Sequence, residues 1–271
     1  MIELYDGDKK EDHRKSSKGN QQKWMKDEVW YKADYTGYEG LAEYMISHLL
    51  EKSSLDPLEY VLYDTEVIRY KAAEFKGCRS RNFLPEGWNL LTLERLFRNV
   101  FGESLNKSIY KIRSFENRLE FIVEQTIRIT GLQEFGTYME KLLTIDALFL
   151  NEDRHTHNIA VLMDREGKFH YCPFFDHGAG LLSDTTLDYP LERNLEDSIG
   201  DVEAKTFCGD FDEQLETAEK SYGLNLKFFF TMKDVEKILS EEKNYGKDVK
   251  QRVYQVLAWQ RRKYQYLFER G

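Results

Sequence analysis

The chain has 271 residues with 39 basic against 48 acidic side chains, a net charge of −9. That balance disfavours an electrostatic grip of the whole chain on a nucleic-acid backbone or an anionic membrane. Its 41% hydrophobic and 32% charged residues are a globular mixture, too apolar for a disordered chain, and a chain near this length buries about three quarters of its unfolded surface without a disulfide or metal staple. The cysteines Cys78, Cys172 and Cys208 are odd in number, far apart and free of any CxxC pair, which fits a reducing compartment. The charged start, Met1 to Ser17, has no apolar signal-peptide core, and no window approaches the apolar length of a membrane span. The expectation is a soluble, cytoplasmic protein, with export by a signal-free route left open.

Residues 1–20 are polar and mixed in charge, and read as an arm or a loop between strands. Val29 to Ala33 is rich in β-formers and predicts a short strand. Thr36-Gly37-Tyr38-Glu39 has the T-x-x-E form of a capping box. Leu41, Met45, His48 and Leu49 then fall on one face of a helix from about 37 to 52. Tyr60 to Phe75 supplies two strands, with Glu74 and Phe75 near the end of the second. Helices follow over 92–103, 114–130 with Gly131 just past the end, and 133–150. Residues 159–163 and 168–172 flank Asp164-Arg165-Glu166-Gly167 as a hairpin. From Gly178 to Gly223 the pattern is irregular, and helices around 232–242 and 247–269 close the chain. Strands early and helices late give an α+β fold in two lobes, 1–77 and 78–271.

The densest polar cluster, Asn151-Glu152-Asp153-Arg154-His155-Thr156-His157-Asn158, lies directly after an apolar helix and directly before an apolar strand. After the hairpin comes Pro173-Phe174-Phe175-Asp176-His177-Gly178, a second acid at a strand end. An acid, an Asn five residues on, a tight hairpin and an Asp before a Gly is the order that protein-kinase-like phosphotransferases use. One carboxylate accepts or orients the proton of the attacking hydroxyl. A carboxamide oxygen and a second carboxylate hold the Mg²⁺ that bridges the phosphates. The assignment is Asp153 as base or orienter, with Asn158 and Asp176 as metal ligands.

These motifs, L-F-L-N-E-D-R-H-T-H-N and F-F-D-H-G, resemble the HipA-like kinase family, serine/threonine kinases of protein-kinase-like fold that include toxin kinases. The resemblance covers about residues 16–210. It implies a small strand-rich N-lobe and a larger helical C-lobe, ATP and Mg²⁺ as cofactors, and transfer to a serine or threonine of a protein substrate, often including one in the enzyme's own phosphate loop. It also implies a partner antitoxin, or a separate chain supplying the N-terminal module of longer relatives; neither a membrane nor a nucleic-acid partner is expected for this chain alone. By the same resemblance, Lys32 matches the lysine that reaches the α- and β-phosphates. Its helix glutamate is Glu39 or Glu43, and Glu43 is preferred because Glu39 has the capping duty. Ser16-Ser17-Lys18-Gly19-Asn20 matches the phosphate-covering loop, making Ser17, Lys18 and Gly19 nucleotide contacts and Ser16 or Ser17 the autophosphorylation site. Glu74 and Phe75 match the hinge that meets adenine.

Two other readings compete. Asp153, His155, His157, Asp176 and His177 could surround Zn²⁺ or Mn²⁺ in a metallohydrolase, and a pseudokinase could keep the fold without turnover. Taken singly, Lys32 and Arg154 are as readily solvated side chains, and the histidines simple hydrogen-bonding groups.

Overall fold

The structure, a computed structural model, describes residues 1–10, 21–205 and 207–268. The first part of the chain builds β1 (Ile2–Leu4), β2 (Lys9–Lys10), β3 (Lys23–Lys26), β4 (Val29–Ala33), α1 (Glu39–Leu50), β5 (Asp64–Tyr70) and β6 (Ala73–Arg81). These strands form a sheet in the order β1-β5-β6-β4-β3-β2, antiparallel except for the parallel β1–β5 pair. The polar start, which reads as an arm or a loop between strands, contributes both edge strands of this sheet, Ile2–Leu4 and Lys9–Lys10. Asp27 and Glu28, both at positive φ, close the β3–β4 hairpin, the backbone that matches strand twist in a two-residue turn. The boundary expected at residue 77 falls in the middle of β6, where Gly77 pairs with both Ala33 and Glu66. The chain leaves the sheet only after Arg81.

The second part contains β7 (Asn89–Thr92), α2 (Leu93–Phe101), α3 (Leu105–Ile109), α4 (Phe115–Thr130), α5 (Phe135–Phe149), β8 (Ala160–Met163), β9 (Phe169–Tyr171), α6 (Leu195–Asp201), α7 (Phe211–Tyr222), α8 (Met232–Glu241) and α9 (Lys247–Lys263). The helix ends follow their sequence. Thr92, Ser104 and Ser114 accept from the backbone N–H three residues on, while Gly102 and Gly131 take the left-handed conformation after α2 and α4, as capping chemistry requires. The apolar helix α5 is buried along most of its length, and it stops at Leu150, a non-glycine residue at φ 54. That turn is secured by Asn151 N–H donating to the Asp146 carbonyl at 2.9 Å and Leu181 N–H donating to that of Phe149 at 2.7 Å.

Strands β7, β8 and β9 form a small antiparallel sheet. One continuous core joins α1 to the helical part through Leu41, Met45, Leu49, Phe149 and Phe174. Helix α1 therefore belongs to both halves of the molecule, packing against β5 and β6 on one side and α8 on the other. Among the described residues no helix is long and apolar enough to cross a membrane.

Candidate active site

Lys32 lies in β4 opposite Cys78 of β6 and Lys23 of β3. Its Nζ donates to Glu43 Oε1 at 2.6 Å and to Asp176 Oδ1 at 2.8 Å, so a strand, the middle of α1 and the segment after β9 converge on one ammonium. Glu43 also makes a second contact, its Oε2 accepting the His177 backbone N–H at 2.9 Å. Glu39 does not reach Lys32. Its carboxylate turns back to accept from Thr36 N–H at 2.7 Å, Thr36 Oγ1 at 3.0 Å and Gly37 N–H at 3.1 Å; the helix starts at Glu39 itself after Tyr38, with no side-chain cap, so the expected capping box is corrected to a bonded turn ahead of α1.

The loop from Asn151 to Asn158 is held from beneath by Arg154, which is almost fully buried. Its guanidinium pairs bidentately with Asp146 at 2.9 and 3.0 Å. It also donates to the Phe175 carbonyl at 2.9 Å, the Asn158 carbonyl at 3.2 Å and His177 Nδ1 at 2.9 Å. A guanidinium only donates, so His177 accepts at Nδ1 and is the neutral tautomer protonated at Nε2. Arg154 thereby ties the loop carrying Asp153 to the segment carrying Asp176. Asn158 Nδ2 donates to the Asp153 carbonyl at 3.0 Å, which turns the carboxamide oxygen away from that carbonyl. Between the two, Asp164 Oδ1 accepts from Glu166 and Lys168 N–H, both at 2.9 Å, and shapes the β8–β9 turn. Asp176 has φ 62, a left-handed backbone unusual for a non-glycine residue and often found where a site demands it.

The electrostatics separate the two acids. Burial acts to raise Asp176, but Lys32, Lys23 and Arg154 outweigh it and hold the carboxyl well below the usual range. Asp153 is shifted up, chiefly by burial; the nearby Asp176 adds to the rise, and His155 opposes it with Nε2 at 3.8 Å from Oδ2. Burial alone would discharge Lys32, yet Asp176 and Glu43 keep it firmly protonated. His177 is pushed well below its ordinary value, first by burial and then by Arg154. The arrangement has a fixed cation, a fixed anion and, on Asp153, a carboxylate moved toward the range where it can exchange a proton.

Several expected site residues fall elsewhere. Lys71, at φ 55, turns the β5–β6 hairpin, so Glu74 and Phe75 begin β6 rather than end it. Glu74 pairs with exposed Arg69 at 2.6 Å, and Phe75 packs against the small cluster of Leu4, Trp24 and Ile68. The chain crosses to the second part at Asn82, Phe83 and Leu84, where Leu84 N–H donates to Asn82 Oδ1. There the Phe83 and Phe175 rings, 5.7 Å apart, join the cluster of Val61, Tyr63 and Cys78 to that of Ala160, Leu162 and Cys172. Glu74 and Phe75 thus lie beside the β5–β6 turn and not at this crossing, where a hinge was expected of them. Ser16, Ser17, Lys18 and Gly19 lie outside the described residues. Lys23, missed in the sequence, faces Asp176 closely enough to lower it; its signal is its register opposite Lys32 across a two-residue turn.

The metallohydrolase arrangement does not form. Among the described residues no group of three or more His, Cys, Asp and Glu could hold a metal ion. His177 Nδ1 is taken by Arg154, His157 lies beside Glu94, and the His155 and His157 rings meet edge to face at 5.6 Å. An octahedral, partly hydrated Mg²⁺ asks for less, one or two carboxylates with the rest from water and phosphate, and the oxygen donors of Asp176 and Asn158 are of the type it takes.

Comparison with solved structures agrees with this architecture. A Helicobacter pylori proinflammatory kinase, CtkA, is similar with a TM-score of 0.63 at 14% identity, covering 97% of this chain and 94% of that one. A chain of the Shewanella oneidensis MR-1 toxin–antitoxin complex of HipA, HipB and operator DNA matches with a TM-score of 0.46 at 14% identity, over 92% of this chain and 65% of that one. No protein-family model and no curated protein matches the sequence. The chain shares the fold of the Helicobacter pylori structure, a mixed α+β architecture with a six-stranded sheet and a helical body.

Proposed function

We propose that this protein is an ATP- and Mg²⁺-dependent kinase that transfers phosphate to serine or threonine of a protein substrate. The observation that carries the reading is the meeting of Lys32 with Glu43 and Asp176, three residues from three separate elements whose types match the phosphate-contacting lysine, its helix glutamate and a metal-ligating aspartate. In this reading Lys32 fixes the α- and β-phosphates, with Glu43 setting its direction. Lys23 contributes a second positive charge in the same cleft. Asp153 receives the proton of the attacking hydroxyl, and its burial-raised affinity for protons suits that role. Asn158 and Asp176 would hold Mg²⁺, which when bound supplies neutralisation of phosphate charge. The apolar wall at Phe83, Leu84 and Phe175 would receive the base of the nucleotide.

Self-phosphorylation at Ser16 or Ser17, just ahead of β3, belongs to the same proposal. A phosphate there adds about −1.5 to −2 charge beside Lys15 and Lys18, and should weaken ATP binding. Incubation with Mg-ATP followed by peptide mapping tests both points: phosphate on serine or threonine in the wild type, and none in Asp153→Ala, is the expected result. ATP left untouched despite tight binding would favour the pseudokinase.

A further inference from the structure

The position of α1 is fixed by contacts that lie outside the cleft. Asp34 follows Lys32 by two residues and precedes α1. Its Oδ1 accepts the Gly40 N–H at 2.7 Å, and its Oδ2 accepts the Tyr245 hydroxyl at 2.7 Å. Tyr245 sits in the short turn between α8 and α9, 211 residues away in the chain, and is 7% exposed. The turn is itself anchored: the Glu242 carboxylate accepts the Tyr245 N–H at 3.1 Å and the Thr65 hydroxyl at 3.1 Å, and Asn244 Nδ2 donates to Thr65 Oγ1 at 2.8 Å. Lys76 lies over the Tyr245 ring, its Nζ 5.4 Å from the centroid.

Space at this junction is minimal. A Cβ on Gly40 would lie 2.4 Å from the Gly77 carbonyl carbon and 2.7 Å from the Tyr245 hydroxyl oxygen. A Cβ on Gly77 would lie 2.0 Å from the Lys32 carbonyl oxygen. Helix α1, strand β6 and the α8–α9 turn therefore touch where no side chain fits, one turn of α1 before Glu43. Any roll or lift of that turn of α1 carries Glu43 away from Lys32.

We propose that Tyr245 is a positioning residue: through Asp34 and its contact with Gly40 it holds α1 at the depth where Glu43 meets Lys32. The C-terminal helices thereby set the geometry of the site without touching its reacting groups. This goes beyond the kinase reading for the geometry of α1 and rests on it only for the effect on turnover.

The test labels lysines with acetic anhydride and quantifies each by mass spectrometry. In Tyr245→Phe the latch loses one hydrogen bond, and Lys32 should be acylated about fivefold faster, the factor such a bond is worth. Lys141, paired with Glu59 and making no contact with Asp34, Gly40 or Tyr245, should not change. Asp34→Asn should stay near the wild-type rate, since its carboxamide still accepts from Gly40 and donates to Tyr245, whereas Asp34→Ala should behave like Tyr245→Phe. Phosphoryl transfer by Tyr245→Phe should lose a similar factor in kcat with KM for the acceptor protein unchanged. Unchanged Lys32 labelling, or a parallel rise at Lys141, overturns the proposal. If the wild type transfers no phosphate, the kinase reading falls while the labelling still decides the latch.

Discussion

Arg154 illustrates how a loop residue that looks solvated in sequence becomes structural. Its charge is buried with Asp146, and each remaining donor meets a carbonyl or His177. Breaking a buried pair strands the partner charge at a cost of about 3–5 kcal/mol, so Arg154→Ala should lower unfolding free energy by that amount in denaturant titrations. Arg154→Lys should not rescue it, because one ammonium cannot span four acceptors. Asp153→Ala should instead leave stability and ATP affinity near wild type and reduce phosphoryl transfer about 10²–10⁴-fold, the usual worth of a general base; calorimetry and steady-state kinetics separate the two effects. A third expectation concerns Asp34, whose carboxyl is pushed up to about 7 by burial and by Glu39, against the hydrogen bonds from Tyr245 and Gly40 and the charge of Lys76. The folded state then binds a proton that the unfolded state has released. Stability contributed by neutral Asp34 is present below about pH 4 and is lost as pH rises through about 7. Asp34→Asn should remove this slope, so the difference between variant and wild-type stability should grow across that window. A constant difference would show that Asp34 does not titrate there.

At the scale of elements, the sequence is most readable where local chemistry decides. Helix α4 has a periodic apolar face and recognisable ends at Ser114 and Gly131, α1 is an apolar run buried on nearly every side, and the β8–β9 hairpin has its Asp-Arg-Glu-Gly turn. Strands β1 and β2 are not legible because they are two or three residues long and owe their existence to partners elsewhere: Ile2 to Leu4 pair with Ile68 to Tyr70. Glu74 and Phe75 fall at the opposite end of their strand from the one expected for a related reason, since the extent of β6 depends on its pairing with β4 as well as with β5. Helix α7 is a different case. Phe211, Gln214, Leu215 and Ala218 are its buried stripe, with Asp210 capping one end and Gly223 ending the other, so the helical period is there within a stretch that reads as irregular. Packing at Gly40 leaves no room for a side chain. Gly40→Ala forces α1 off β6 and the α8–α9 turn, and overpacking of this kind costs about 1–3 kcal/mol. Thermal unfolding should register that loss, and Lys32 should become more accessible to acylation with it.

For the whole molecule, the candidate site exists only because distant segments meet. Asp153 and Asn158, five residues apart, and Asp176 beyond the hairpin are visible as a pattern in the sequence, and so is Lys32 once that pattern is set beside its strand. What no local pattern carries is the ammonium between Glu43 and Asp176, the buried Arg154–Asp146–His177 group beneath it, and the hold that Tyr245 has on α1 from the C-terminal helices. These are long-range contacts, fixed by the packing of α1 between the sheet and the helical body. Whether this convergence transfers phosphate is decided by mass spectrometry of the intact and digested protein after incubation with Mg-ATP. Phosphate on serine or threonine is expected in the wild type, and its loss in Asp153→Ala and Asp176→Asn. Equal phosphorylation of all three proteins, or none in the wild type with ATP bound, would contradict it.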